Sequence, residues 1–438
     1  MERTWHKPLP AADMLIRGGR VVDPLSGVDA VQDVLVKRGK IAETGKDLAA
    51  PKGAREVDAA GMLVLPGFVD LHTHLRTPGR EDEEDVASGT LAAAVGGYVR
   101  VFAMANTEPV VDTAVVLRGL SDIARAEAVV PAGFYAAVTR GLRGEQLTEM
   151  AELAEAGAVA FSDDGRPLAT AALIRRALQY VKITGRTLAI HAQEESLFRG
   201  GQMHEGAVSA RLGLGGIPSL CESLDVARAL EVAAYEEAPL HVCHVSAAAT
   251  LEHLSRARSA GLRVTAEVTP HHLTLTDEAV ASLDSNLKMN PPLREEDDRQ
   301  ALVKALKSGL VDCVATDHAP HAPMSKDVPY EEAAFGTTGL ETAFAVLYTE
   351  LVKKRALDIG TLVTRMSQVP AAIAGVEPPA IRPGVVADLC VVDPRATWTV
   401  TADAFRSRSA NSAFLGRRLT GRVMLTVAAG RLVWEGDA

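Results

Sequence analysis

Eight short, apolar, β-prone runs alternate with Ala- and Leu-rich stretches of helical periodicity between about residues 64 and 383, and this alternation constrains the fold more than any other feature. The predicted strands lie near 64–74, 98–105, 129–139, 157–164, 187–192, 239–246, 262–268 and 311–317. Predicted helices fall over 84–95, 113–126, 145–156, 169–184, 220–236, 247–260 and 299–308. Strands that are apolar on both faces belong to a parallel sheet covered by helices. Eight strand–helix units over roughly 250 residues fit closure into a (β/α)8 TIM barrel. A doubly wound sheet also alternates, but no GxGxxG follows the first strand.

The two ends of the chain read differently. Residues 13–62 give short strands with turn signals at Arg17-Gly18-Gly19, Asp23-Pro24 and Lys37-Arg38-Gly39-Lys40. Residues 385–435 do the same, through 387–392, 422–427 and 430–433. Both ends are β-rich and helix-poor, and are expected to pair into one small β-sandwich beside the barrel. The expected organisation is an α/β fold in three stretches. Residues 1–63 form the N-terminal part of the sandwich, 64–384 the barrel that carries the chemistry, and 385–438 the C-terminal part.

Bulk properties exclude several classes. Hydrophobic residues make up 47% of the chain, enough for a substantial core. Four cysteines with no CxxC pair argue against a disulfide framework and fit a reducing cytosol. No signal-like N-terminus and no apolar run of membrane-spanning length is present, so the expected location is cytoplasmic. A formal charge of −10 disfavours nucleic acid and anionic membranes as partners. A small anionic substrate remains compatible, because local arginines override a global charge.

Barrel enzymes place their chemistry at the C-terminal ends of the strands. The first strand ends in His72 and His74, which share one face because strand residues i and i+2 project to the same side. Two fixed imidazoles suit zinc or a similar divalent ion. Later strand ends add Asn106, then Ser162-Asp163-Asp164-Gly165, then His191, His244 and Asp317, with His318 and His321 following. Four histidines and two acidic positions at the ends of five strands point to a metal site, and their number to two metals. His72, His74 and Asp317 can hold one ion, and His191 and His244 the other, with a strand-four carboxylate between them. Asp163 and Asp164 are neighbours, so a strand sends them to opposite faces and only one can bridge. The other orients a ligand or caps the following turn. Asp317 also suits proton transfer from a bridging hydroxide to a leaving nitrogen.

These segments resemble the amidohydrolase superfamily, and within it the longer, class I bacterial dihydroorotases. The matching stretches are Pro66–Arg76 with Pro78-Gly79, Met104–Thr107, Phe161–Gly165, His241–Ser246, Glu267–Leu273, Lys288–Arg294, Thr316–His321 and Phe335–Glu341. The resemblance implies a zinc enzyme that interconverts N-carbamoyl-L-aspartate and dihydroorotate in pyrimidine biosynthesis. It implies two zinc ions per subunit, held by His72, His74, Asp164, His191, His244 and Asp317 and bridged by Asp164 and a hydroxide. It further implies that His74, Leu75, Arg76, Asn106, Asn290 and His321 bind substrate while Phe335 and Gly336 close over the ring, with Asp317 catalytic. A homo-oligomer, a dimer, is expected, with room for association with aspartate transcarbamoylase. One departure is Ala105, where the family usually has Pro before the strand-two Asn.

Other readings stand beside this one. Hydantoinases, dihydropyrimidinases and allantoinases share the superfamily, but many relatives bridge with a carboxylated lysine on strand four. This chain has none there; Lys182 lies in the following helix. A non-catalytic scaffold for the transcarbamoylase would be expected to have lost ligands, and every expected ligand is present. Arg76 has a plainer alternative as a surface ion pair with Glu81 or Asp82, and Asn290 as a turn former before Pro-Pro. The runs 81–85 and 294–298 read as solvated charges. Cys243 reads as a small core residue, His271 and His272 as structural residues in the loop after strand seven, and His6, His204 and His253 as surface residues. The segment 321–339 reads as a mobile lid that excludes water.

Overall fold

The computed structural model describes residues 3–436. Its centre is a ring of eight parallel staves. Three form one sheet, Phe68–Thr73, Tyr98–Ala103 and Ala132–Phe134, and four another, Leu188–Ile190, Leu240–Val242, Val264–Val268 and Cys313–Val314. Phe161 joins them on one side, bridging to Ala136 and Leu188, and Thr73 bridges to His318 on the other. The ring is therefore closed. The expected fourth strand is reduced to that one bridging residue, yet the amides of Val159, Phe161 and Ser162 still donate to Phe134, Thr187 and Ala136.

Helices cover the outside as their apolar periodicity requires. Val86–Val95 is started by Asp85, whose side chain accepts from the Ser88 amide in a reciprocal capping box. Thr113 and Thr170 cap Ala114–Glu127 and Ala171–Thr184 by accepting from the Val116 and Leu173 amides, without the reciprocal bond. The chain adds helical turns over Ala343–Leu347, Ile359–Val363 and Val369–Ile373, for which no helix was predicted. Among the described residues no helix is long and apolar enough to cross a membrane.

The run expected as one strand over 64–74 is two. Leu63–Pro66 pairs antiparallel with Leu389–Thr399 and parallel with Met14–Asp23, whereas Phe68–Thr73 begins the barrel. Gly67 separates them because nothing larger fits: a Cβ there would lie 2.1 Å from Val99 Cγ1. The β-rich part is one continuous eight-stranded sheet that joins both chain ends, in the order 431–435, 418–428, 389–399, 63–66, 14–23, 28–37 and 40–45, with 55–58 beside 14–23. Its central strands are buried on both faces, which hid the break from the hydropathy pattern. Leu389 and Val391 enter the sheet's own core, while Cys390 and Val392 alternate into the barrel core. The two cores thus share a wall.

Two expectations about charge fail on burial. Glu83 and Glu84, read as solvated, are buried, Glu84 against His318 Nε2 at 3.2 Å and the Ser407 hydroxyl. Arg294, from the other charged run, is also buried, and donates to His204 Nδ1 at 3.1 Å and to the Ile217 carbonyl at 2.7 Å. His204 is therefore not at the surface. Burial is the main cause that pushes its imidazole down to about 4.

Candidate active site and metal centre

At the C-terminal ends of the staves a cavity of about 870 Å³ opens. His72 is fully buried beside the lining residues His74, Asp164 and Asp317, and its Nδ1 meets Glu267 Oε1 of strand seven at 2.9 Å. That contact turns Nε2 inward, 3.4 Å from Asp164 Oδ1 and 3.5 Å from Asp317 Oδ1. His74 is oriented in the same way: Nδ1 lies 3.0 Å from Asn106 Oδ1, and Nε2 lies 3.1 Å from Asp317 and 3.7 Å from Asp164 Oδ2. On the opposite side, His191 Nδ1 is 3.5 Å and His244 Nε2 3.7 Å from Asp164 Oδ1. Asp164 therefore sits between the two halves of the cluster. Asp163 turns away, accepting from the Val138 and Thr139 amides at 2.7 and 3.0 Å and from the Thr139 hydroxyl.

The donor set fits metal on three grounds. His72 Nε2 and Asp164 Oδ1, 3.4 Å apart, are buried without a hydrogen-bond partner, a costly arrangement unless something else satisfies it. The groups His72–Asp164–His244 and His72–His74–Asp317 each bring ligand atoms within 4.8 Å of one another. Burial favours the neutral form of Asp164, yet the His72 charge and the close approach of the His191, His244 and His72 imidazoles hold it well below the usual carboxylate range. Asp317 is lowered in the same sense, against burial, by His72 and His74. Two ionised carboxylates facing four imidazoles favour a cation between them. A third grouping, His72–Cys243–Glu267, is less suitable: the His72 and Glu267 atoms already bond each other, and burial pushes the Cys243 thiol up to about 12.

Backbone strain collects at this site. Arg76, His244 and Asp317 hold positive φ values of 55°, 31° and 48°, a region that non-glycine residues rarely occupy. Asp70, buried beneath them, accepts from the His72 and Thr316 amides and so ties the first and eighth strands together.

Across the cavity Arg76 is buried, and its partner is neither Glu81 nor Asp82 but Glu83, 3.3 Å from Nε. Its Nε also donates to the Pro320 carbonyl, and Nη2 lies 3.4 Å from His321 Nε2. His321 further contacts Glu83 through Nδ1 at 3.3 Å and the Phe335 carbonyl through Nε2 at 2.8 Å. Asn290 donates to Gln193 Oε1 at 2.8 Å and lies 3.2 Å from His191 Nε2. His74, Arg76, Asn106, Asp164, His191, His244, Asn290, Asp317, His321, Phe335 and Gly336 all line the cavity. Leu75 does not; its side chain packs in the barrel core.

A family model described as dihydro-orotase-like matches residues 61–250. The dihydroorotase of Geobacter metallireducens is 45% identical over 97% of this chain and 100% of its own length. That of Anaeromyxobacter dehalogenans is 46% identical over 97% of this chain and 98% of its own. The chain belongs to the dihydroorotase family. It is accordingly a cyclic amide hydrolase. Among solved structures, the L-hydantoinase (dihydropyrimidinase) of Arthrobacter aurescens superposes with a TM-score of 0.87 at 26% identity, over 98% of this chain and 97% of that one. The dihydropyrimidinase of Brevibacillus agri NCHU1002 gives 0.83 at 24%, over 97% and 95%, a likeness of fold alone.

Within this dihydroorotase-family site, several residues escaped sequence reasoning. Glu267 lies in a quoted motif without an assigned role, and Glu83 in an acidic run read as solvated. Gln193 had a usable signal, its spacing of two from His191. His271 and His272, read as structural residues in a loop, are both buried and lie in a short helix, Pro270–Thr274. His272 bonds Thr269 and the Pro291 carbonyl.

Proposed function

We propose that the protein is a zinc-dependent dihydroorotase that reversibly cyclises N-carbamoyl-L-aspartate to (S)-dihydroorotate plus water in pyrimidine biosynthesis. The observation that carries this reading is a buried guanidinium, Arg76, facing an imidazole–carboxylate cluster across one cavity. A ring that bears a carboxylate needs both halves, whereas uncharged hydantoin or dihydropyrimidine rings need only the second. His72, His74 and Asp317 would hold one zinc, His191 and His244 the other, and Asp164 both. Once bound, such a pair supplies a Lewis acid for the ring carbonyl and lowers the pKa of the attacking water.

The chain's own residues do the rest. Arg76 offers a planar fork to the substrate carboxylate, with Asn106 and His321 as further donors. Asn290 presents its amide to the ring edge, and Phe335 and Gly336 close over it. In hydrolysis, water adds its oxygen to the ring carbonyl carbon as the carbon–nitrogen bond breaks. Asp317 takes the water's proton and delivers it to the departing nitrogen. In cyclisation it takes the proton from the ureido nitrogen and returns it to the leaving oxygen. The reading includes a homodimer and allows a complex with aspartate transcarbamoylase, both testable by size-exclusion chromatography.

Hydrolysis assays over dihydroorotate, hydantoin, dihydrouracil and allantoin test the substrate. Turnover should concentrate on dihydroorotate, and Arg76→Ala should lower kcat/KM for it by about 100-fold or more, as expected when a charged pair is lost. Preference for an uncharged ring, or indifference to Arg76→Ala, would contradict the proposal.

A further inference from the structure

Arg76 and His321 leave the barrel on loops, and strand pairing alone does not fix where their side chains point. We infer that Asn411, on the segment before the strand Arg418–Ala428, is a positioning residue for the substrate-carboxylate subsite; this rests on the reading of Arg76 and His321 given above. Asn411 is buried, 90 residues along the chain from His321. Its Oδ1 accepts from the His321 amide at 3.0 Å, and its Nδ2 donates to the carbonyls of Ala319 at 3.1 Å and Gly336 at 3.3 Å. One side chain thus joins the loop after strand eight to the loop that carries Phe335 and Gly336. The task needs one acceptor and two donors on a short stem, which only asparagine combines.

The joined loops press on each other. Gly336 has φ 137°, and a Cβ there would lie 2.7 Å from Ala319 Cβ and 3.0 Å from His321 Nε2. Asn411 donates to the carbonyls on both sides of that contact, those of Ala319 and Gly336. The same segment reaches the other half of the subsite: Ser409 donates its hydroxyl to the Glu83 carbonyl at 2.7 Å. The Glu83 carboxylate in turn lies 3.3 Å from both Arg76 Nε and His321 Nδ1. The metal cluster has its own supports in Glu267, Asn106 and Gln193, so losing Asn411 should disturb carboxylate recognition and spare metal binding.

The test is steady-state hydrolysis of dihydroorotate by the full-length, metal-loaded protein with Asn411→Ala, Arg76→Ala and the double variant, alongside metal content. An ångström of misplacement costs up to ~100-fold in rate. Asn411→Ala should raise KM by about 10- to 100-fold with kcat changed far less and metal content unaltered. In the Arg76→Ala background the same change should lower kcat/KM only a few-fold, because coupled residues are not additive. If the alanine variant fails to fold, Asn411→Ser, which keeps one donor and one acceptor on a shorter stem, should fold and raise KM in the same sense; an unchanged KM would overturn the inference. An equal loss in both backgrounds, or a loss confined to kcat, would overturn the inference. Arg76→Ala alone leaving kcat/KM unchanged would instead overturn the subsite reading on which it rests.

Discussion

Three of the four central imidazoles are fixed by a partner on the nitrogen that faces away from the cluster. Glu267 holds His72, Asn106 holds His74, and Gln193 with Asn290 holds His191. Such partners set the tautomer and ring angle of a ligand, and their loss typically costs ~10–100-fold in metal affinity. Glu267→Gln should therefore weaken metal binding by about that factor in a competition titration with a chelator; unchanged affinity would show that His72 needs no anchor. The ligand candidates themselves were legible because each ends a strand, where spacing and apolar context make a polar residue conspicuous. Their anchors were not. Glu83 sits among Glu81, Asp82 and Glu84, and nothing local separates the buried pair from its exposed neighbours. Leu75, implied as a substrate contact, carries a side chain of the apolar core.

At the scale of elements, the segment 321–339 read as a mobile lid is stapled in the structure. Lys326 Nζ donates to the carbonyls of Ser285 at 2.8 Å, Ala334 at 2.7 Å and Lys288 at 3.3 Å. Lys288 Nζ donates to those of Tyr330 and Glu331 at 2.9 and 2.8 Å. Burial is the main cause that pushes the Lys326 ammonium down to about 7. Lys326→Met should accelerate amide hydrogen exchange across 322–336, raise KM for substrate and lower the melting temperature, because three buried carbonyls lose their donor. Unaltered exchange would mean that the lysine does not hold the lid. The barrel was legible through its alternation, whereas the split at Gly67 was not, because two adjoining strands that are buried on both faces read as one apolar run. Strand four, with a single bridging residue, shows the converse: its hydrophobicity reports burial rather than ladder length.

Across the whole molecule, the sheet built from both chain ends shares a wall with the barrel core through strand Leu389–Thr399, and the segment beyond that strand carries Asn411 to the loops of His321 and Gly336. The pairing of the ends was foreseeable from composition; the reach of the C-terminal part into the site was not, because no local pattern encodes a contact 90 residues away. Burial also sets an acid response. His204 and His271 are each pushed down to about 4, chiefly by desolvation. Between about pH 6.5 and 4 the unfolded chain binds protons that these folded histidines refuse, so their contribution to stability falls as the pH falls. The wild type should lose melting temperature relative to His204→Gln over that window, and a constant difference would rule the effect out. The most direct measurement of the central claim is metal content per chain, by plasma mass spectrometry, together with dihydroorotate hydrolysis for wild type and Asp164→Ala. The expected result is two divalent ions per wild-type chain, with both metal and turnover lost in the variant. Full turnover by a metal-free protein would contradict it.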